Sequence, residues 1–291
     1  MLTRRDLLKH AAVLTGMTLS ARDASASVKR KRSMRIGACD WSIGKSSDIG
    51  AFALAQQIGL DGIQVNLGSD ANNMHMREKD RQRAYIEESK KTGVRIASLA
   101  IGELNRVPYK SEARTDEWVW DAVDVAHNLD VTVILLAFFA KNDLRGDEAG
   151  KKEVIKKLKV VAPKAEKLGV TLGIESYLSA EEHMEIIQQV GSKNLKVYYD
   201  FRNSADAGYD VIKEIKWLGK DMICELHMKE NGFRLGEGTM DWKKISETLM
   251  EMNYYGDGWM QIESANPKGA DVTESYKHNL AFLRQQFNFK G

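Results

Sequence analysis

Residues 170–200 have the sequence VTLGIESYLSAEEHMEIIQQVGSKNLKVYYD, which contains one complete strand–helix–strand unit. The apolar, β-branched runs Val170–Glu175 and Leu195–Asp200 are typical of buried strands. The segment Ala180–Val190 between them has the spacing of apolar residues expected of a helix. Both strands end in a carboxylate, and two successive strands joined by a helix are the building unit of parallel α/β folds.

The same alternation of strands and helices continues on both sides of this unit, from residue 35 to the end of the chain. The other predicted strands are Arg35–Cys39, Gly62–Asn66, Val94–Ala100, Val131–Ala137, Met222–Met228 and Gly258–Glu263. The other predicted helices are Asp48–Ile58, Glu78–Lys91, Glu112–Asn128, Lys151–Leu168, Tyr209–Leu218, Trp242–Met252 and Thr273–Gln286. Three helices are followed by a glycine, at Gly59, Gly93 and Gly169, which is a common signal for the end of a helix.

Eight such units, without enough residues for a second domain, predict an α/β fold of the (β/α)8 TIM barrel type, as a single domain over residues 35–291. The alternative is an open, doubly wound sheet, which would favour a glycine-rich phosphate turn after the first strand. The segment Cys39-Asp40-Trp41-Ser42-Ile43-Gly44 lacks the G-x-G-x-x-G pattern of that turn. The closed barrel is therefore favoured.

The composition limits the classes of function. Hydrophobic residues make up 43% of the 291 residues, which is enough for a substantial core, and the formal net charge is +2. Residues 1–32 contain eight basic and two acidic residues, so this segment carries +6 and the remainder carries −4. A dedicated nucleic-acid-binding domain would carry a strong basic excess, which the remainder lacks.

The basic N-terminal segment has the features of an export signal. Thr3-Arg4-Arg5-Asp6-Leu7-Leu8-Lys9 resembles the twin-arginine signal of bacteria, and a modestly apolar run extends from Ala11 to Ala21. Ala24-Ser25-Ala26 then provides a small-residue cleavage site. These features predict a signal peptide over residues 1–26, a basic tether over 27–34 and a periplasmic location, with cleavage near Ala26. The alternative is an amphipathic helix that packs on the domain.

Neither the cysteines nor the apolar segments indicate a further class of protein. Cys39 and Cys224 lie singly in apolar runs, without a C-x-x-C spacing, and are expected to be buried thiols of the core. No apolar stretch has the length of about 20 residues that spans a bilayer, so no stable membrane anchor is expected.

Four polar residues end the last four predicted strands: Glu175, Asp200, His227 and Glu263. Catalytic groups of a barrel lie at the carboxyl ends of its strands, and an isolated buried carboxylate is costly unless it is paired or binds a metal. We therefore expect these residues to form one divalent-metal site. Three carboxylates and one imidazole favour Mn²⁺ or Mg²⁺, while Co²⁺ and Zn²⁺ remain open alternatives.

Around these strand ends the sequence resembles the xylose-isomerase-like barrels, also called sugar phosphate isomerases/epimerases. The resemblance extends from residue 35 to about residue 286. Its motifs are Gly173-Ile174-Glu175, Tyr199-Asp200-Phe201-Arg202-Asn203, His227-Met228-Lys229-Glu230 with the following Arg234–Trp242, and Gln261-Ile262-Glu263-Ser264.

The resemblance implies that the four residues bind one divalent cation. It also implies that Glu175 and Glu263 form an acid/base pair, which removes and returns a proton next to a sugar carbonyl through a metal-stabilised cis-enediolate. The expected substrate contacts are Arg234, Asn203, Lys229, Glu237 and Trp41, and Phe138 could complete an apolar wall with Trp41.

Other residues have no predicted role in the site. Gln64 departs from the family, where glutamate is common on the second strand, so we expect no direct role for it. The remaining histidines are expected in the leader, in loops or on helix surfaces: His10, His75, His127, His183 and His278.

Export to the periplasm would limit the substrates that the protein meets, because phosphorylated sugars are mainly cytoplasmic. The expected partner is therefore a free sugar or a keto-sugar. The alternatives are a metal-dependent 3-keto-glycoside lyase or hydrolase, which acts by β-elimination, and a non-catalytic sugar-binding barrel. A homo-oligomer is also expected, since relatives often pair through helices at the side of the barrel.

The same barrel serves abasic-site endonucleases, which use three zinc ions and several additional histidines. The corresponding neighbourhoods of this sequence contain Asn66, Ala100, Asn203 and Lys243. Together with the acidic domain, these residues disfavour a nuclease.

Overall fold

A computed structural model of the protein describes residues 34–254 and 258–287. The predicted signal peptide, and the predicted tether apart from Met34, lie outside the described residues. Within the described residues, no helix combines the length and the apolar character needed to cross a membrane.

Eight parallel strands form a closed barrel in chain order, and β8 pairs with β1 to close it. The predicted (β/α)8 barrel is therefore confirmed, and every predicted strand lies within two residues of an observed one. The strands are β1 Arg35–Cys39, β2 Gly62–Asn66, β3 Arg95–Ile101, β4 Val133–Phe138, β5 Thr171–Ser176, β6 Leu195–Asp200, β7 Ile223–Lys229 and β8 Trp259–Glu263.

Helices surround the barrel, and the eight predicted ones are present to within three residues at each end. A short helix after β6, Phe201–Asp206, was not predicted. It begins where the Asp200 side chain accepts a hydrogen bond from the Asn203 backbone N–H at 2.8 Å. The helices are α1 Ala51–Ile58, α2 Lys79–Thr92, α3 Arg114–Asn128, α4 Glu148–Leu168, α5 Ala180–Val190, α6 Phe201–Asp206, α7 Val211–Leu218, α8 Trp242–Glu251 and α9 Val272–Gln286.

The three predicted helix-ending glycines terminate α1, α2 and α4. Gly59, Gly93 and Gly169 have φ angles of 93°, 74° and 69°. This left-handed conformation costs a residue with a Cβ atom more than it costs glycine, and it lets the chain turn directly from the helix into the next strand.

The strand register brings the polar strand ends to one level. Asp200 on β6 pairs with His227 on β7, and Lys229 on β7 pairs with Glu263 on β8. Below them the barrel interior is filled by a cluster that includes Ala100, Leu135, Ala137 and Tyr198. The two alanines are small, and Leu135 and Ala137 form the floor of a cavity that opens at the carboxyl ends of the strands.

The two cysteines are free thiols in different environments. Cys39 is fully buried at the end of β1, as predicted. Cys224 on β7 is only partly buried but packs against the core cluster of Ala100, Leu135, Ala137 and Tyr198, so the prediction of a buried core thiol is met in part. It lies near the amino end of its strand, where the barrel interior is less completely covered.

Asp40 joins the segment after β1 to the end of β2. Its Oδ2 accepts hydrogen bonds from the backbone N–H groups of Ser47 at 3.1 Å and Asn66 at 3.0 Å. Oδ1 is buried and makes no hydrogen bond within the described part of the chain. Burial raises the pKa of Asp40 from 3.8 to about 7, against the opposing effect of its backbone hydrogen bonds.

This raised pKa predicts a pH-dependent stability. The pKa of folded Asp40 is higher than that of the unfolded chain, so its contribution is fully present below about pH 4 and is lost as the pH rises through about 7. We expect this loss to be on the order of 2–4 kcal/mol. Asp40→Asn should lack this part of the pH dependence, because the amide does not ionise.

The measurement is urea unfolding of both proteins between pH 4.5 and pH 8, with the exposed Asp221→Asn variant as the control. Parallel stability profiles for wild type and Asp40→Asn would contradict the prediction.

Candidate active site

The four predicted strand-end residues meet in one cluster. Glu175, Asp200, His227 and Glu263 each place a ligand atom within 4.8 Å of the ligand atoms of the others. Nδ1 of His227 lies 2.8 Å from Glu175 Oε1, 3.7 Å from Glu263 Oε2 and 3.9 Å from Asp200 Oδ2. The carboxyl ends of β5 to β8 thus direct three carboxylates and one imidazole to a common point.

All four side chains are buried, so their charges interact strongly. Burial raises the pKa of Asp200, and the negative charges of Glu175 and Glu263 add to this effect, while Lys229 opposes it. Burial also disfavours ionised Glu263, but the positive charges of His227 and Lys229 outweigh burial and lower the pKa of Glu263. The positive charges of His227 and Lys229 therefore do not fully offset the negative charges of the three carboxylates.

The donor set fits a divalent cation. Three carboxylates and one imidazole are ligands that Mn²⁺ and Mg²⁺ accept. Asp200 Oδ2 is buried and accepts no hydrogen bond from any described residue. An unsatisfied buried carboxylate oxygen that faces other ligands is costly, and a cation bound there would remove that cost.

The Nε2 side of the His227 ring is held by Gln64, for which the sequence predicted no direct role. His227 Nε2 lies 3.1 Å from Gln64 Oε1, and Gln64 Nε2 donates to Ser98 Oγ at 3.0 Å and to Tyr198 OH at 2.9 Å. If Nδ1 binds a cation, Nε2 keeps its proton and donates a hydrogen bond to Gln64 Oε1, which fixes the imidazole ring. Gln64 is fully buried in the structure. The signal for its role in the sequence was a polar amide within an otherwise apolar strand.

Cys39 also contacts the imidazole. Its Sγ atom lies 3.3 Å from His227 Nε2, and it forms a second possible ligand group with His227 and Glu263, whose ligand atoms lie within 4.8 Å of one another. Burial raises the pKa of the thiol to about 12, against the opposing effect of His227, so the sulfur stays protonated near neutral pH.

Lys229 and Trp41, two of the predicted substrate contacts, both hold Glu263. Lys229 Nζ lies 2.8 Å from Glu263 Oε2 and 3.6 Å from Asp200 Oδ2. The Trp41 indole donates a hydrogen bond to Glu263 Oε1 at 2.9 Å. The structure therefore places Lys229 on the inward face of β7 and makes it an internal counter-charge for two of the four cluster residues.

The other predicted contacts fall into two groups. Asn203, at the start of α6, lines the cavity and donates a hydrogen bond to Glu175 Oε1 at 3.3 Å. Arg234 and Glu237 lie in the segment between β7 and α8. They do not line the cavity at the carboxyl ends of the strands. Arg234 Nε donates to Ser275 Oγ at 3.2 Å, and its Nη1 lies 3.8 Å from Glu237 Oε1. Their role as substrate contacts stays a prediction.

Glu230, also missed from the sequence, organises the segment that carries Arg234. Its buried carboxylate accepts hydrogen bonds from the backbone N–H groups of Thr239 at 2.6 Å and Met240 at 3.0 Å, and from Trp242 Nε1 at 2.5 Å. These hydrogen bonds hold the end of the segment against Glu230, which directly follows β7.

A cavity of about 580 Å³ opens above the cluster. Glu175, Glu263, Asn203 and Lys229 line one side of it, and residues from the segments after β1 to β5 line the rest. Phe139 forms part of this wall, whereas Phe138 is fully buried beside Tyr109. The prediction that Phe138 completes the wall is therefore wrong by one residue, because successive side chains of a strand point to opposite faces.

A larger cavity, of about 650 Å³, lies at the other end of the barrel around Arg35, Arg95 and Trp259, which begin their strands. It is remote from the four-residue cluster. The smaller cavity is therefore the candidate active site, because it contains the convergent carboxylates.

One histidine prediction is also wrong. His183 lies on the buried face of α5 and not on the helix surface. Its Nδ1 is 2.9 Å from the carbonyl oxygen of Ser179, and its Nε2 is 2.9 Å from Ser176 Oγ. These contacts satisfy both ring nitrogens, so His183 has a structural role.

The position of Lys229 predicts how the cluster binds metal. Its ammonium group offsets the charge of Glu263 and Asp200, so Lys229→Met should bind Mn²⁺ at least about tenfold more tightly than wild type. Asp200→Asn should bind it at least about tenfold less tightly, because an amide replaces a charged ligand. Isothermal titration calorimetry measures both changes, and Lys45→Met removes the same charge at an exposed site as a control. Unchanged or weaker binding by Lys229→Met would contradict the competition between lysine and metal.

Comparison with known proteins agrees with this architecture. The model of the xylose isomerase-like TIM barrel family matches residues 52–286. D-psicose 3-epimerase of Enterocloster bolteae is 27% identical over 133 residues, which are 43% of this chain and 43% of that protein. This chain thus aligns with less than half of the length of that relative. L-ribulose-5-phosphate 3-epimerase of Escherichia coli is 22% identical over 242 residues, which are 76% of this chain and 85% of that protein.

Solved structures show the same fold. A structure of D-psicose 3-epimerase in the presence of D-fructose has a TM-score of 0.74 and 19% identity, and the match covers 88% of this chain and 100% of that one. The apo form of 3-keto-D-glucoside 4-epimerase from E. coli has a TM-score of 0.71 and 15% identity, with 87% and 99% coverage. By its sequence and by its fold, the chain belongs to the xylose isomerase-like TIM barrel family.

Proposed function

We propose that the protein is a divalent-metal-dependent isomerase or epimerase of sugars. The observation that carries the proposal is the pair Glu175 and Glu263. These carboxylates come from different strands, belong to one ligand cluster and face the same cavity. Two relatives that match 76% and 67% of the chain are named epimerases of a sugar phosphate and of a sugar-like phosphate, which supports the epimerase class.

The two carboxylates would perform proton transfer on a carbon next to a carbonyl. One takes the proton, and the electron pair of the C–H bond moves into the C–C bond while the carbonyl oxygen becomes an enediolate oxygen. The other returns a proton. Delivery to the opposite face of the same carbon gives an epimer, and delivery to the former carbonyl carbon gives an isomer when the hydroxyl proton of the first carbon passes to the former carbonyl oxygen. A divalent cation held by Glu175, Asp200, His227 and Glu263, with Mn²⁺ or Mg²⁺ favoured, would stabilise the negative charge on those oxygens.

The neighbouring residues prepare this pair. Lys229 and Trp41 keep Glu263 in its ionised form, which is the form that accepts a proton. Asn203 donates to Glu175 Oε1 and so fixes the orientation of the second carboxylate. Orientation of this kind contributes to the rate because the reacting groups need little rearrangement.

The charge of the cavity favours an unphosphorylated substrate. Among the cavity-lining residues in the described part of the chain, Lys229 is the one cation, and its ammonium group already pairs with Glu263. A phosphate group would be expected to meet several donors or cations of its own. We therefore infer a free sugar or a keto-sugar as the substrate, and β-elimination on a 3-keto-glycoside is the second candidate reaction, since it begins with the same proton abstraction.

A test of the shared step is solvent exchange. Wild-type protein with Mn²⁺ should incorporate solvent deuterium next to the carbonyl of a ketose or a 3-keto-glycoside, as measured by mass spectrometry and NMR. Glu175→Gln and Glu263→Gln should each reduce turnover by roughly 10²–10⁴-fold, because each removes one base. Glu181→Gln, an exposed change on α5, serves as the matched control.

Full turnover by both variants would overturn the two-base mechanism. If wild type exchanged no deuterium into any of these sugars, the non-catalytic sugar-binding alternative would be favoured.

We also propose that the protein is exported to the periplasm by its twin-arginine signal and is cleaved near Ala26. Changing Arg4 and Arg5 to lysine should block export, because the export receptor recognises the arginine pair. Cell fractionation and the intact mass of the mature chain measure this, with the same change at Arg30 and Arg32 as the control. Normal export of the Arg4/Arg5 variant, or a periplasmic chain that keeps residues 1–26, would refute the proposal.

A further inference from the structure

The part of the active-site cavity that lies away from the metal cluster has a different chemistry. The cluster belongs to β5–β8, and the opposite wall is formed by segments that follow β1, β2 and β3. That wall is rich in polar groups: the hydroxyls of Ser47 and Ser69, the amides of Asn66, Asn72 and Asn105, and the carboxylate of Glu103. Strands β2 and β3 lie across a closed eight-stranded barrel from β6 and β7, so the cavity extends across the barrel mouth.

The three asparagines of this wall are held by their oxygen atoms. Asn66 Oδ1 accepts from the backbone N–H of Gly68 at 3.3 Å, and Asn72 Oδ1 accepts from that of Ser69 at 2.8 Å. Asn105 Oδ1 accepts from the Phe139 N–H at 2.9 Å. None of the three Nδ2 groups donates to a protein atom within residues 34–254 and 258–287. The wall thus presents three fixed amide donors, whose acceptors must come from water or a ligand.

Aromatic side chains join the two ends of the cavity. Trp41, Phe139 and Tyr177 line it, and the rings of Phe139 and Tyr177 pack edge to face at 4.8 Å. Fixed aromatic rings with a few well-placed polar groups are typical of a small-molecule site and offer a surface for the apolar C–H face of a sugar ring.

The size of the cavity exceeds the need of one sugar. A volume of about 580 Å³ corresponds to roughly 20 molecules of liquid water at about 30 Å³ each. A hexose has only a dozen non-hydrogen atoms, which are covalently bonded and therefore more closely packed than water. One hexose above the cluster leaves room for a second unit against the asparagine wall.

We propose that this wall, formed by Asn66, Asn72, Asn105 and Glu103, is a second sugar subsite, and that the substrate is a neutral glycoside of at least two units. The unit with the carbonyl lies at the metal cluster, and the other unit places its hydroxyl and ring oxygens on the asparagine amides. Glu103, whose Oε1 already accepts from the Asp70 N–H and from Arg106, accepts hydrogen bonds from sugar hydroxyls at its Oε2. The inference rests on the proposed function, because it assumes that the reacting unit lies at Glu175 and Glu263.

The chemistry of the wall supports a neutral and hydroxyl-rich ligand. The four residues carry no positive charge, and Glu103 adds a carboxylate that pairs with Arg106, so the wall is less suited to an anionic group than to a neutral one. Amide donors combined with a carboxylate acceptor match the alternating acceptor and donor character of sugar hydroxyls.

The experiment compares a 3-keto-disaccharide with D-fructose in the deuterium-exchange assay on Mn²⁺-loaded full-length protein. We expect wild type to prefer the 3-keto-disaccharide at least about tenfold in kcat/KM. Asn72→Asp and Asn105→Asp keep the oxygen that accepts the backbone N–H, and they replace the amide donor by a negatively charged acceptor, a charge that the control variant below also introduces. Each should reduce the ratio of the two kcat/KM values at least about fivefold, mainly through the KM of the disaccharide.

Asn73→Asp is the matched control, since it makes the same chemical change in an exposed neighbour of Asn72. Calorimetric binding of the disaccharide to each variant reports on the subsite independently of turnover, and thermal unfolding reports on folding. An equal or higher kcat/KM for D-fructose in wild type would overturn the inference, as would Asp variants that keep the wild-type ratio. Exchange into neither sugar would instead refute the proposed function, so the two failures are distinguishable.

Discussion

The burial of three carboxylates around one imidazole is the constraint on which the rest of the site depends. Carboxylates at this separation repel one another in a poorly solvated environment, so the fold must provide positive charge and fixed donors around them. Lys229, the Trp41 indole and the Asn203 amide supply these groups from three different parts of the chain. A bound divalent cation would complete the compensation. Such a cation would also offset the negative charge that develops when a proton is removed next to a carbonyl.

The barrel makes this arrangement through strand register. The four ligands come from the ends of consecutive strands, and the pairing of Asp200 with His227 and of Lys229 with Glu263 keeps them level. Gln64 extends the arrangement into the interior by holding His227 from below, through hydroxyls on β3 and β6. The hydrogen bonds of the candidate active site therefore continue directly into the packed core of the barrel.

The barrel and the four ligands could be predicted from the sequence, because apolar runs alternate with helical segments and an acid or histidine near the end of an apolar run is conspicuous. Details that depend on a single residue of register were not available in the same way. Phe139 rather than Phe138 faces the cavity, since neighbouring strand residues point in opposite directions. The buried position of His183 depended on which face of α5 meets the barrel. The asparagine wall was not predicted either, because its residues are scattered over separate loops that only the closed barrel brings together.

The internal ammonium group of Lys229 has a consequence for the folding of the protein in the absence of substrate. A cluster of like charges normally resists being enclosed until its metal arrives, which would tie completion of the fold to the supply of that metal. Here the chain carries part of its own counter-charge on the strand that also carries His227. Closure of the barrel therefore does not draw all of its counter-charge from a bound ion.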